Sequence, residues 1–406
     1  MTDVPARPLA GMRVIELSSF VASPLGGMTL AQLGADVIRI DPVGGAADRK
    51  RWPLAPNGES LYWAGLNQGK RSVTVDLRSP EGVALVADLV EASGENGGIV
   101  LTNARARPGL AYEDLTRRRS DLIHVQLLGR RDGGTAVDYT VNATCGFATV
   151  TGPETHAAPI NHVLPAWDVT TGLYLAVGIL AAERRRSRTG QGSQLTVSLE
   201  DVALATAGNL GYLAEAQLRE DPRGRIGNQV YGDFGRDFAS ADGRHVMVLV
   251  LTPRHWRHLV EVTGTGAVIA ALEDTLGVSF EVASERYGHR DLLTGLFQPW
   301  FGARKFDEIQ VVLEPTAILW SRYRTFTDLA QDQDTGLAAH PLMAELTQSA
   351  IGSYLAPGSP LLYDGEQTPA EAAPDLGAHT DEVLTTLLSC SSTRLNDLRS
   401  RGVIGQ

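Results

Sequence analysis

One acidic residue, Asp168, stands where a carboxylate could act as a nucleophile or a base. It follows the apolar stretch Val163–Trp167 and precedes a helix-like segment, Leu173–Glu183. Asp at such a position can cap a helix, because its side chain accepts hydrogen bonds from the free N–H groups of the first turn. It can also be a nucleophile held at the positive end of the helix dipole. The local sequence alone favours the cap, whereas the rest of the chain favours the nucleophile.

The chain around Asp168 alternates predicted strands with predicted helices. This alternation is typical of right-handed βαβ units and a parallel sheet. Ser79 and Pro80 have the residue types that begin a helix. The pair Gly26-Gly27 lacks the spacing of a dinucleotide fingerprint and indicates close backbone packing. The predicted strands cover Gly11–Leu17, Ala35–Asp41, Arg71–Leu77, Gly98–Leu101, Leu122–Leu128 and Gln194–Leu199, and the helices cover Ser23–Leu33, Ser79–Ala92, Leu173–Arg186 and 200 to about 218.

The pattern of predicted elements changes after about residue 220. A strand over His245–Val250 and amphipathic helices over Pro253–Thr263 and Phe306–Leu313 predict a smaller α+β domain. The fold prediction is therefore α/β, with a Rossmann-like large domain and a smaller second domain. The predicted bounds are 1–220 for the first part of the large domain, 225–330 for the small domain and 335–406 for a return segment that completes the large domain.

Composition excludes several classes of function. The net charge of −11 argues against a nucleic-acid partner, because phosphate backbones require a basic surface, although an anionic small ligand needs only a local basic pocket. Cys145 and Cys390 are too few for a disulfide framework and indicate a reducing, cytoplasmic setting. No signal-peptide pattern and no bilayer-length apolar run is present, so we expect no membrane partner. No metal site and no prosthetic group are predicted.

Short segments along most of the chain form a pattern through their order and spacing. They are Leu9–Val14, Gln32–Arg39, Asn67–Val73, Asp76–Leu77, Pro80–Gly82, Thr189–Gly192 and Pro374–Thr380. Together they resemble the class III CoA-transferases, a family that also contains 2-methylacyl-CoA racemases. The family's members form interlocked homodimers, so the resemblance implies one here.

Within this family the likeness narrows to members that move CoA between the two carboxyl groups of mesaconate, a branched, unsaturated C5 diacid. It rests on Phe20–Leu30, Gly129–Gly134, Val137–Asn142 and Asn161–Asp168. The family's nucleophilic aspartate falls on Asp168, which would pass through an anhydride and an aspartyl-CoA thioester. The resemblance also implies a place in the 3-hydroxypropionate cycle of carbon fixation.

Three alternatives stay open. The first is an intermolecular CoA-transferase between a dicarboxylyl-CoA and a second acid. The second is a 2-methylacyl-CoA racemase or epimerase, which pairs the aspartate with a histidine base. Here the matching position is Val137, which makes α-proton abstraction improbable. The third is a CoA-binding protein without catalysis, which the retained Asp168 disfavours.

The resemblance also implies a set of residues around the acyl-CoA substrate. Arg78 would meet a CoA phosphate, and Arg49 and Arg51 would meet anionic groups, although a solvated loop explains these two arginines equally well. A glycine-bearing loop over Gly227–Gly235 would form a lid over the freed diacid, although a hairpin turn also explains its glycines. The implied CoA contacts are Val21, Ala22, Val75, Arg78, Asn103, Ala104, Arg105, Asp138 and Tyr139, and the implied substrate or lid residues are Arg49, Arg51, Tyr231, Gly232, Phe234 and Gly235.

Overall fold

The computed structural model describes residues 7–405, which divide into two compact units. Unit 1 comprises residues 7–145, 163–214 and 332–405, and unit 2 comprises Gly146–His162 and Glu215–Gln331. The predicted first segment ran unbroken to residue 220, whereas the structure places residues 146–162 in unit 2.

Regular elements follow one another closely up to residue 218. The strands are β1 (Arg13–Leu17), β2 (Asp36–Asp41), β3 (Arg71–Thr74), β4 (Ile99–Thr102), β5 (Ile123–Leu128) and β6 (Ser193–Ser198). The helices are α1 (Ala22–Gln32), α2 (Leu61–Leu66), α3 (Pro80–Glu91), α4 (Tyr112–Arg118), α5 (Asp138–Thr144), α6 (Phe147–Val150), α7 (Ala166–Thr189), α8 (Leu199–Asn209) and α9 (Tyr212–Leu218), with a 3₁₀ helix at Ala47–Lys50.

The remaining elements belong to unit 2 and to the return segment. The strands are β7 (Phe234–Ala239), β8 (His245–Val250), β9 (Leu319–Arg322), β10 (Met343–Gln348), β11 (Gly352–Pro357), β12 (Leu362–Tyr363) and β13 (Glu366–Gln367). The helices are α10 (Pro253–Thr263), α11 (Gly266–Leu276), α12 (Ala283–Gly288), α13 (Arg290–Gly302), α14 (Phe306–Leu313), α15 (Phe326–Gln331), α16 (Thr380–Leu388) and α17 (Ser392–Ser400), with a 3₁₀ helix at Leu337–Ala339. In the described part of the chain, no helix has the length and apolar content needed to cross a bilayer.

Unit 1 is built on a six-stranded sheet with the order β3-β2-β1-β4-β5-β6. Every neighbouring pair is parallel, which confirms the predicted parallel sheet. The order reverses between β1 and β4, so the chain leaves their carboxyl ends in opposite directions and opens a crevice there. Because ligands of open α/β sheets bind at such a point, the loops after β1 and β4 are the first place to look for a site.

Two glycines bring α1 and α7 into close contact. A Cβ on Gly26 would lie 2.9 Å from the carbonyl oxygen of Gly172, and a Cβ on Gly172 would lie 2.8 Å from that of Ala22. These distances confirm that Gly26 serves close backbone packing. The helix that carries Asp168 is thereby held against the helix that begins just after β1.

Helix ends differ from the prediction at two places. Helix α7 begins at Ala166, seven residues before the predicted start at Leu173, because its first turn is capped from another element. The predicted single helix after residue 200 is two helices, α8 and α9. Gly211 between them has φ +83°, a left-handed conformation that a helix does not contain. The predicted Ser79 cap is confirmed, since its side chain accepts a hydrogen bond from Gly82 N at 2.9 Å.

Unit 2 surrounds an aromatic core. Strands β7, β8 and β9 form an antiparallel sheet, against which helices α10, α11, α13 and α14 contribute apolar side chains. Phe238 stacks on Phe301 with ring centroids 4.3 Å apart. Phe234 is 1% exposed and lies within this core.

Candidate active site

A cleft of about 760 Å³ lies at the crevice of the unit 1 sheet. The loop after β1, the segment after the first 3₁₀ helix, α2, the ends of β5, α5 and the start of α7 all contribute to its walls. Side chains of every class that acyl transfer needs are present, namely a carboxylate, a guanidinium and hydroxyls. The polar and aromatic residues of the wall are Ser19, Phe20, Arg51, Trp52, Tyr62, Asn103, Asp138, Tyr139 and Asp168.

Asp168 lies in the first turn of α7 and is partly buried at the cleft wall. It is not the helix cap. The N-cap residue is Pro165, and no side-chain hydrogen bond from that residue closes the turn. The cap interpretation that the local sequence favoured is therefore wrong, and the Asp168 carboxylate is left facing the cleft.

Asp138 of α5 supplies the missing cap. Its Oδ2 accepts hydrogen bonds from Trp167 N at 2.8 Å and from Asp168 N at 3.2 Å. The Trp167 indole Nε1 donates to Asn142 Oδ1 at 3.2 Å, which ties the same two helices a second time. Asp138 was predicted as a CoA contact. It does line the cleft, but its carboxylate is directed to the backbone of α7.

The electrostatic environment of Asp168 favours its neutral form. Burial raises the pKa of the Asp168 carboxyl to about 6, and the negative charge of Asp138 acts in the same direction. The positive charge of Arg51 opposes both effects. A carboxylate that has lost hydration and lies beside a like charge is a stronger nucleophile than one in water.

Arg51 is held in the cleft by aromatic rings rather than by a counter-ion. Its guanidinium carbon lies 4.8 Å from the centroid of the Tyr62 ring and 5.3 Å from that of Phe20. Among residues 7–405 the Arg51 side chain forms no ion pair, so its charge remains available to an anion. Burial raises the pKa of Tyr62 to about 12, and the phenol therefore stays neutral.

Arg49 does not share this location. Its guanidinium lies 4.1 Å from the centroid of the Trp63 ring and lines a separate cavity of about 190 Å³. The return segment, including Ala350 and Leu376, forms the other wall of that cavity. Arg49 and Arg51 thus line different cavities, and Arg49 is not among the residues that line the cleft with Asp168. A substrate role for Arg49 stays a prediction.

A buried ionic network supports the loop after β1. Phe20 N donates to Asp48 Oδ2 at 3.0 Å, and Arg39 holds the same carboxylate oxygen at 3.1 Å. Phe20 has φ +67°, a strained conformation for a bulky side chain. Asn103 joins this loop to the end of β4, accepting from Ser19 N at 3.1 Å and donating to Ser19 O at 2.8 Å. The network fixes the start of α1 at the cleft.

Sequence reasoning missed Asp48 and Tyr62. The basic run Arg49–Arg51 draws attention to its cations alone, although an acid that directly precedes such a run, here Asp48, can be a buried partner. Tyr62 lies in the short helix before the segment at Asn67 that carried part of the family likeness. The apolar spacing of that helix could have placed Tyr62 beside the site.

A second groove of about 640 Å³ adjoins the end of β4. Three of the predicted CoA contacts line it, namely Asn103, Ala104 and Arg105. Asn103 also lines the cleft with Asp168, as do Val21, Ala22 and Tyr139, so groove and cleft meet at this residue.

Two predicted CoA contacts have other surroundings. Val75 is fully buried, and Val75 N donates to Asp41 O at 2.9 Å within the core, so its side chain is unavailable to a ligand. Arg78 is 87% exposed, and its Nε donates to Asp76 Oδ1 at 2.8 Å. Arg78 lines neither the groove nor the cleft.

The predicted lid residues belong to unit 2. Phe234 is a core residue, and Gly235 lies inside β7, where it pairs with Leu249 of β8. These two residues are therefore not part of a mobile lid, and the prediction is wrong for them. Tyr231 is 37% exposed, and its ring contacts Tyr287 with centroids 5.3 Å apart. For Tyr231 and Gly232 the lid role stays a prediction.

Fold and site together define an α/β protein with a partly buried aspartate near the crevice between β1 and β4, where the strand order of the parallel sheet reverses. Residues 9–380 match the model of CoA-transferase family III, and the chain belongs to this family. The class III resemblance seen in the sequence is thereby confirmed.

Individual proteins of known sequence or structure are also similar to this chain. The chain is 47% identical over 399 residues to the 2-methylfumaryl-CoA isomerase of Chloroflexus aurantiacus, covering 98% of this chain and 97% of that protein. It is 33% identical over 288 residues to the succinate–glutarate CoA-transferase of Agrobacterium fabrum, covering 66% and 70%. The crystal structure of a CAIB/BAIF family protein from Brucella suis superposes with a TM-score of 0.77 at 24% identity, covering 94% of this chain and all of that chain, and so shares the fold.

Proposed function

We propose that this protein is an intramolecular CoA transferase that moves CoA between the C1 and C4 carboxyl groups of mesaconate, with Asp168 as the covalent nucleophile. The position of Asp168 carries the proposal, because this partly buried carboxylate faces a cleft at the switch point of the sheet. The 47% identity to a 2-methylfumaryl-CoA isomerase supports the choice of substrate.

The first half of the reaction transfers CoA to the enzyme. A carboxylate oxygen of Asp168 attacks the C1 thioester carbon, the C–S bond breaks, and CoA leaves as a thiolate with the electron pair. The product is a mixed anhydride between Asp168 and mesaconate. The thiolate then attacks the carbonyl carbon of Asp168 and expels mesaconate as a carboxylate, which leaves an aspartyl-CoA thioester. Covalent catalysis thus divides one exchange into simpler displacements.

The second half repeats these steps at the other end of the diacid. The C4 carboxylate attacks the aspartyl thioester carbon and releases CoA thiolate, which forms the second anhydride. The thiolate attacks C4, the bond to the Asp168 oxygen breaks, and the Asp168 carboxylate is restored. No step removes or adds a proton at a carbon atom, so the reaction requires no general base.

Arg51 provides the anchor for the carboxylate that is not reacting. Its charge is free of ion pairs within the described chain, and the rings of Phe20 and Tyr62 fix its guanidinium at the cleft. A guanidinium binds a carboxylate through two parallel hydrogen bonds. A diacid fits this arrangement better than a monoacid, because one end reacts at Asp168 while the other end binds Arg51.

The groove beside the cleft suits the rest of CoA. Arg105 is exposed at its wall and pairs with no acidic residue of the described chain. Apolar residues such as Leu77 and Leu110 line the same groove and could contact the adenine base or the pantetheine arm. Because groove and cleft meet at Asn103, a thiol entering from the groove would reach the Asp168 cleft.

The racemase alternative lacks a second base. Val137 lines the cleft at the position of the racemase histidine, and no histidine is among the described residues of the cleft wall. The intermolecular transferase alternative uses the same chemistry and differs only in whether the freed acid leaves. The likeness to a succinate–glutarate CoA-transferase is the reason to test this second alternative.

We also propose that the chain functions as a homodimer in the cytoplasm. Helix α7 exposes Leu173, Tyr174 and Val177, and Leu210 and Leu218 are exposed further along the chain. A second copy covering these apolar side chains would remove them from water. A chain with only two cysteines, Cys145 and Cys390, suits a reducing compartment.

An isotope experiment tests the proposed function. Unlabelled mesaconyl-C1-CoA is incubated with the enzyme and an excess of ¹³C-labelled free mesaconate, and the C4 thioester is analysed by mass spectrometry. Unlabelled C4 product supports intramolecular transfer, whereas label in most of the product identifies an intermolecular transferase. Asp168→Ala should form no C4 product and still bind CoA, while Asp132→Asn, at an exposed carboxylate, should behave as wild type. Full activity of Asp168→Ala would refute the covalent mechanism.

A further inference from the structure

Two acidic side chains meet at the start of α7, Asp168 from α7 itself and Asp138 from α5, and only one of them is needed as a nucleophile. The second, Asp138, is 4% exposed. Its Oδ2 receives the N–H groups of Trp167 and Asp168, and no Lys, Arg or His of the described chain forms an ion pair with it. Buried carboxylates usually recruit a cation. Here two backbone amides and the positive end of a helix dipole take that place.

This arrangement keeps a negative charge close to the reacting carboxylate. Because the two hydrogen bonds hold Asp138 at the backbone of Asp168 itself, the Asp138 carboxylate cannot withdraw without uncapping the first turn of α7. The ionised form of Asp168 therefore carries the repulsion of Asp138 in addition to its own loss of hydration. The anhydride and the thioester of Asp168 are neutral, so acylation removes the repulsion.

We propose that Asp138 is a positioning residue that fixes the first turn of α7 and, through its buried negative charge, favours the acylated form of Asp168 over the ionised form. The inference rests on the proposed nucleophilic role of Asp168 and goes beyond it. An aspartyl thioester is as energetic as the substrate thioester. Any destabilisation of the free carboxylate therefore moves the balance toward the covalent intermediates.

Other charged and titratable groups face Asp168 from the surrounding elements. Arg51 follows the first 3₁₀ helix and opposes Asp138. Tyr62 on α2 and Tyr139 on α5 line the same cleft and are phenols. Asp138 is the only negative neighbour among these groups. Removing its charge while keeping its hydrogen bonds should therefore isolate its effect.

The test compares variants at position 138 in the full-length protein. Asp138→Asn keeps the size of the side chain and an acceptor oxygen for both amides but removes the charge. We expect the acidic limb of the kcat/KM profile to move down by roughly half a pH unit to one unit. We also expect several-fold less acyl-Asp168 peptide when turnover is quenched and the peptide is measured by mass spectrometry. Asp138→Glu, which keeps a charge, should stay nearer to wild type in both measurements.

Stability measurements separate charge from capping. Asp138→Ala should lower Tm by a few degrees because it removes the cap, whereas Asp138→Asn should retain most of the wild-type Tm. If Asp138→Asn does not fold, Asp138→Ser provides a shorter neutral cap for the same comparison. Asp132→Asn is the matched control for loss of a carboxylate at an exposed site.

Two results distinguish the inference from the proposed function. If wild type accumulates acyl-Asp168 but the neutral variants show the same acidic limb and the same acylated fraction, Asp138 acts only as a cap and the inference is overturned. If wild type turns over with no acylation of Asp168, the nucleophilic mechanism fails and the inference fails with it.

Discussion

Asp168 illustrates how one side chain can be unfavourable for folding and useful for catalysis. The carboxylate is partly buried, has a like charge beside it and takes no part in capping its own helix. These conditions raise the free energy of its ionised form. A nucleophile benefits from this, because the covalent intermediates lack the charge that the site disfavours.

The stability effect has a definite sign. Burial, with the charge of Asp138, raises the pKa of the Asp168 carboxyl to about 6, above the value of about 4 expected in an unfolded chain. Between these two values the folded protein keeps a proton that the unfolded chain has lost. The free energy of unfolding therefore falls as pH rises through this window, and the loss is complete above about pH 6.

We therefore expect Asp168→Asn to be inactive and more stable than wild type at pH 7.5, with Tm higher by a few degrees at most. The difference should shrink as the pH approaches 4, where both forms are neutral. Thermal unfolding of the two proteins from pH 4 to 8 measures this. Equal Tm values at pH 7.5 would show that the ionised carboxylate carries no penalty.

Arg51 permits a prediction about retention of the diacid. Arg51→Gln should lower kcat by roughly 100-fold, because the non-reacting carboxylate loses its anchor, and should release free mesaconate during turnover. Arg131→Gln is the control, since Arg131 is 80% exposed and pairs with Asp201 on the surface. Free acid is measured by chromatography of the quenched reaction. A normal kcat with no released acid in Arg51→Gln would move the anchor to another residue.

At the scale of elements, the sheet order determines where the site lies. Strand positions, the helix after Ser79 and the parallel sheet followed from local patterns, because periodicity and capping residues report burial and helix ends. Asp168 followed from the family motif. The Asp138 cap did not, since the hydrogen bond to Asp168 joins residues 30 apart in sequence. Neither the burial of Val75 nor the divergence of Arg49 and Arg51 is encoded in any short segment.

The close contact between α1 and α7 holds the helix that carries Asp168 at the cleft. Gly172→Ala would place a Cβ 2.8 Å from Ala22 O and 3.1 Å from Leu25 Cβ, and neither backbone can move freely. We expect a loss of about 1–3 kcal/mol in the free energy of unfolding. Activity should also fall, because α7 carries Asp168 and α1 begins at the cleft.

A second glycine on the same helix provides the control. A Cβ on Gly178 would have Leu195 Cδ2 at 3.4 Å as its nearest neighbour, an ordinary contact. Gly178→Ala should be neutral or stabilising, because Ala favours a helix over Gly by up to about 1 kcal/mol. Urea unfolding of both variants measures the difference. Equal stabilities would mean that the α1–α7 spacing adjusts without strain.

At the scale of the whole molecule, the return segment is integral to unit 1. Gly405 N donates to Thr74 Oγ1 at 3.1 Å, and Ile404 forms a β-bridge with Val75. Leu395 and Leu398 of α17 belong to the same core as strands β1 to β4. The sheet that carries the site is therefore completed by the last residues of the described chain, which no motif near Asp168 indicates.

The exposed apolar side chains of α7 lead to a prediction about assembly. Leu173 is 49% exposed and Val177, one turn further along the helix, is 61% exposed. A carboxylate placed there would be desolvated in a dimer, whereas in a monomer it would be solvated at little cost. Val177→Glu should therefore shift the protein from dimer to monomer in light scattering at micromolar concentration. Val311→Glu, at an apolar residue of α14 that is 74% exposed, should leave the dimer intact. A monomeric wild type, or a Val177→Glu protein as dimeric as the control, would place this face of α7 in contact with solvent.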